Sequence, residues 1–146
     1  MKQLDLQTVF ANPVYQAIAV LGVSLVFVLV DKLGGVTGIW ETEPRSTWII
    51  MTAFVLFFAL FNSVLSLRTK NMNKYWSRSI MCFVGLIAVS VLASTILSGV
   101  SMDEAGTFRW LFVVLTIGYL VFLVIVRLMK RIVDIAIRQD EKLRGK

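Results

Sequence analysis

Arg68-Thr69-Lys70-Asn71-Met72-Asn73-Lys74-Tyr75-Trp76-Ser77-Arg78 is the stretch on which the fold turns. It carries four positive charges and no negative one, and it lies between two long apolar runs. Lys and Arg in a short connection between apolar runs mark a loop kept on the cytoplasmic side of a membrane. The stretch therefore divides the chain into two hydrophobic hairpins and gives their direction.

The flanking runs support that reading. Of the 146 residues, 58% are hydrophobic and 16% charged. Soluble domains average nearer ~45–50% and ~25%. Four apolar stretches without internal charge account for the excess, each near the ~20 residues a helix needs to cross ~30 Å of hydrocarbon. The runs are continuous and do not alternate, which argues against a transmembrane β-barrel. The expected fold is all-α: a single integral membrane domain over 1–146, folded as a four-helix antiparallel bundle with helices at about 13–30, 45–67, 79–100 and 108–129.

Punctuation sets these bounds. Asn12-Pro13 is a helix start, because Asn can cap free amides and Pro at the first position loses no hydrogen bond. Asp31-Lys32 and the glycines Gly34, Gly35 and Gly38 are expected to end the first helix. Pro44 suits the first turn of the second helix, with Trp48 at the head groups. Tyr75 and Trp76 form another interfacial anchor. Ser101-Met102-Asp103-Glu104 has capping-box spacing. Arg109 and Arg127 can snorkel at the two ends of the fourth helix. In the tail, 130–146, Ile132, Val133, Ile135, Ala136 and Ile137 recur at helical spacing among charged residues, so the fourth helix is expected to continue as an amphipathic cytoplasmic extension.

Charge then orients the bundle. The net charge is +6, and the positives gather in 68–78 and in the tail. The connections at 31–46 and 101–107 are acidic or balanced. Both termini and 68–78 are thus expected in the cytoplasm, in a multi-pass protein of a bacterial cytoplasmic (inner) membrane. The same positives suit anionic lipid head groups or an acidic partner; Arg68, Lys70, Lys74, Arg78, Lys130 and Arg131 are the candidate contacts. No nucleic-acid role is needed to explain them.

Chemistry is sparse. There is no histidine and one cysteine, Cys82. No nucleophile elbow, phosphate loop, paired-cysteine motif or metal spacing is present, so no catalytic residue, cofactor or metal is assigned. Between their flanking charges the four spans carry no Asp, Glu, Lys, Arg or His, which disfavours proton-coupled transporters, pumps and voltage sensors. What remains is polar but neutral: Asn62 and Ser66 in the second span, and Ser90, Ser94 and Ser98 four residues apart in the third. Such residues build packing seams in membranes, and the same stripe could line a pore. Two functions follow. The first is a non-catalytic accessory or assembly (scaffold) subunit, as a homo-oligomer or with a partner membrane protein. The alternative is an oligomeric channel or carrier for a small neutral or lipid-like solute, lined by helices 2 and 3.

Overall fold

The computed structural model describes residues 11–69 and 71–145. It is all-helical, with four helices long and apolar enough to cross a membrane. They are α1 (Pro13–Val36), α2 (Ser46–Ser66), α3 (Met72–Ser98) and α4 (Thr107–Leu143).

The start of α1 follows its sequence signal. Asn12 is extended, and its side chain accepts the Val14 amide at 3.2 Å while Pro13 opens the helix. Its end does not. α1 runs through Gly34 and Gly35 to Val36, where the Thr37 hydroxyl donates to the Leu33 carbonyl at 2.8 Å. The two glycines are used for close approach and not as breakers. A Cβ on Gly34 would lie 2.1 Å from the Trp40 ring, and one on Gly35 would lie 2.4 Å from the Thr42 hydroxyl. The connection is further held by Thr42 Oγ1, which donates to the Asp31 carbonyl at 3.0 Å, and by Ser46 Oγ, which donates to the Asp31 carboxylate at 2.6 Å.

α3 begins at Met72, not near Ser79, so most of the basic stretch is helical. Lys74 and Arg78 stand one turn apart and exposed. Charge on a solvated helix face does not stop a helix. The connection from α2 shrinks to 67–71, and α3 ends where Gly99 takes φ +68°. The Ser101–Glu104 box forms reciprocally, with Ser101 N–H donating to Glu104 Oε2 at 3.1 Å and Glu104 N–H donating to Ser101 Oγ at 3.3 Å. It closes a turn ahead of α4 and does not cap α4, which starts at Thr107.

α4 is 37 residues without interruption. At ~1.5 Å per residue that is about 55 Å, well beyond the ~30 Å of hydrocarbon. From Arg131 onward every described residue is exposed.

α2 is the hub and touches each of the other three helices. It buries Trp48, Val55, Phe58 and Ala59, against which Phe83 and Leu86 of α3 and Phe112, Tyr119 and Leu123 of α4 pack. The outward faces stay apolar: Ile18, Phe27, Met81, Ile96 and Val114 are all more than half exposed. So large an exposed apolar surface suits lipid and not water.

Candidate functional site

The polar residues of the spans converge on Asn62. Its side chain is fully buried where all four helices meet. Nδ2 donates to Gln16 Oε1 of α1 at 2.8 Å and to the Tyr75 hydroxyl of α3 at 3.2 Å. The Tyr119 hydroxyl of α4 donates to Asn62 Oδ1 at 2.9 Å, and Gln16 Nε2 donates to the Tyr75 hydroxyl at 3.3 Å. Both tyrosines and Gln16 are themselves buried. Buried polar groups need hydrogen-bond partners, and these four side chains supply them to one another.

The hydroxyl stripes differ from this: some hydroxyls are bonded, while those of Thr52, Ser79 and Ser94 are buried without a hydrogen-bond partner among the described residues. Ser63 and Ser66 donate to the carbonyls of Ala59 and Ser63 at 2.6 Å each, within α2 itself. Ser90 and Ser94 are buried on α3. Ser98 accepts the Trp48 indole N–H at 3.1 Å and the Val100 amide at 3.1 Å. Trp48 is expected at the head groups but is fully enclosed, its ring centroid 6.0 Å from Phe108 and 6.4 Å from Phe112. Asn62, Ser66, Ser90 and Ser94 thus lie inside the bundle, and only Asn62 reaches side chains of every other helix.

At the end of the bundle where α3 starts, the basic candidates separate. Arg68, Lys74, Arg78 and Arg131 are exposed, and Lys70 lies outside the described residues. Lys130 Nζ donates to the Thr69 carbonyl. Arg127 places its guanidinium 5.2 Å from the Trp76 ring centroid, with Nη2 3.5 Å from Asn73 Oδ1. These contacts seat α4 on the start of α3. A groove of about 430 Å³ runs between the two, lined by Asn73, Arg127, Lys130, Arg131 and Asp134. A second groove, of about 240 Å³, lies on the other side of α3, between its first two turns and the start of α1. The two ion pairs among the described residues lie elsewhere, Arg109–Asp103 and Arg144–Asp140, each at 3.1 Å.

Sequence reasoning singled out Asn62 but missed Gln16, Tyr75 and Tyr119 as its partners. Tyr75, expected as an interfacial anchor, turns its hydroxyl inward. A signal was there: Gln16, Asn62 and Tyr75 each fall within four residues of a span end, so they share a depth if successive helices reverse direction. Among the described residues, no three metal-ligating side chains gather. Asp31 is engaged by Ser46 and Asp103 by Arg109. Compared with protein-family models, with curated proteins and with solved structures, the chain finds no match.

Proposed function

We propose that this chain is a non-catalytic accessory or assembly subunit of a bacterial inner-membrane complex. It acts through helix–helix packing and through a basic cytoplasmic face. In this reading the helices run antiparallel, up-down-up-down, with both termini, the 67–71 connection and the α4 extension in the cytoplasm. Retention of Lys and Arg on that side supports the orientation.

The Asn62 hub carries the reading. Asn62, the most polar side chain that a permeating solute would have to meet, is instead bonded to Gln16, Tyr75 and Tyr119. Ser98, at the end of the α3 stripe, is taken up by Trp48. What faces outward is apolar side chain along the spans and positive charge at one end, which are surfaces for lipid, a second copy or a partner membrane protein. The α4 extension adds Ile132, Val133, Ile135 and Ile137, each about half exposed or more.

Native mass spectrometry of the protein, extracted in mild detergent from its own membrane, tests this. A defined partner protein or a homo-oligomer of fixed number is the expected result. A lone chain at every protein concentration would overturn it.

A further inference from the structure

We propose that the groove between the starts of α1 and α3 holds the phosphodiester head group of an anionic phospholipid. This deepens the basic-face reading above and rests on it. The groove is lined by Asn12, Thr69, Asn71, Lys74, Tyr75 and Arg78. With Ala11 and Pro13 the lining has eight residues, of which two are cationic and none is acidic. Lys74 and Arg78 stand one helical turn apart on the same face of α3, about 6 Å in rise. Among the described residues neither has a carboxylate partner, since both ion pairs lie elsewhere. The groove is thus a shallow site with two positive charges that no carboxylate among the described residues compensates. The guanidinium and the ammonium of such a pair suit the oxygens of one phosphate.

Three further features agree. The first turns of α1 and α3 contain no acidic residue, and the α3 cap, Asn71, makes no side-chain capping bond, so the positive end of α3 beside the groove is left uncapped, whereas that of α1 is capped by Asn12. The polar lining comes from Asn12, Thr69 and Asn71, which offer hydrogen-bond donors at head-group level. Beyond Arg78, the same face of α3 continues as Met81, 73% exposed, and Gly85, where an added Cβ would meet nothing within 4 Å. A charged groove opening onto an apolar track matches a lipid, with phosphate at one end and acyl chain at the other. Free phosphate would use only the first half. The groove beside α4 is a poorer candidate, because Asp134 lines it and Lys130 is already bonded to Thr69.

The test is lipid retention by the full chain, read by native mass spectrometry. Phosphatidylglycerol and phosphatidylcholine of identical acyl chains are supplied in equal amounts. Wild type is expected to retain phosphatidylglycerol preferentially, and Lys74→Gln/Arg78→Gln to lose roughly 30-fold in that preference. Arg138→Gln/Lys142→Gln removes the same charge from the α4 extension and should behave as wild type. Equal retention of the two lipids by wild type overturns the site, as does equal loss in both double variants, which would mean diffuse surface charge. Displacement of phosphatidylglycerol by millimolar inorganic phosphate also overturns the lipid assignment, in favour of a free anion. Because lipid and protein partners appear at different masses, loss of this site and loss of the assembly role are read separately.

Discussion

At one end of α2, Asn62 is held by amide and phenol groups from the three other helices; at the opposite end, Trp48 lies among Phe108, Phe112 and Ser98. Both side chains are fully buried, yet they fasten the bundle by different physics. Lipid tails are as apolar as leucine, so burial alone gives helices little reason to associate in a membrane. Close packing around a large ring provides many weak contacts, strong in sum but tolerant of small shifts. Hydrogen bonds are directional and fix register. The Trp48 end therefore contributes most of the packing, and the Asn62 end sets which faces meet and at what depth.

Substitutions at the two ends separate these roles. Trp48→Ala should have the largest effect, about 3–5 kcal/mol, since it opens a cavity beneath two aromatic rings and removes the indole bond to Ser98. Unfolding in detergent measures it, and a loss below that of Asn62→Leu would reverse the ranking. Asn62→Leu should cost about 2–3 kcal/mol, from three hydrogen bonds at ~0.6–2 kcal/mol each with partial repacking. Tyr119→Phe removes only the bond to Asn62 Oδ1 and should cost about 1 kcal/mol. Combined with Asn62→Leu it should cost little more, because both delete the same contact; full additivity would mean that the two groups act independently. Smallest of all, a chain ending at Lys130 should keep the stability of the whole protein to within about 0.5 kcal/mol, since distant surface changes rarely exceed that. A larger loss would show that the extension folds back on the bundle.

The four spans were legible because a ~20-residue charge-free run has few other uses. The Asn12-Pro13 start was legible because its capping chemistry is local. What went unread depends on partners distant in sequence. Gly34 and Gly35 carry helix-breaking composition, yet they stay helical so that Trp40 and Thr42 can approach. Lys74 and Arg78 resemble a loop by charge, but a helix can carry charge on a solvated face, so α3 starts at Met72. Asn62 was visible as the strongly polar residue of a span. Its bonds reach 46 residues back to Gln16 and 57 forward to Tyr119, and no local pattern encodes those separations. Trp48 and Trp110 both follow an acid and an arginine at the start of a span, but Trp48 is fully buried and Trp110 is 65% exposed. Residue type is the same at both positions, and packing set which ring joined the core.

The most direct test of polar residues as fastening, and not as a solute path, is flux. Purified protein is reconstituted into liposomes, and entry of sorbitol is followed by light scattering after osmotic shock. Wild type should be no faster than protein-free liposomes. Faster entry that Ser94→Leu abolishes, with the bundle still folded, would contradict the assembly reading and place a pathway along α2 and α3.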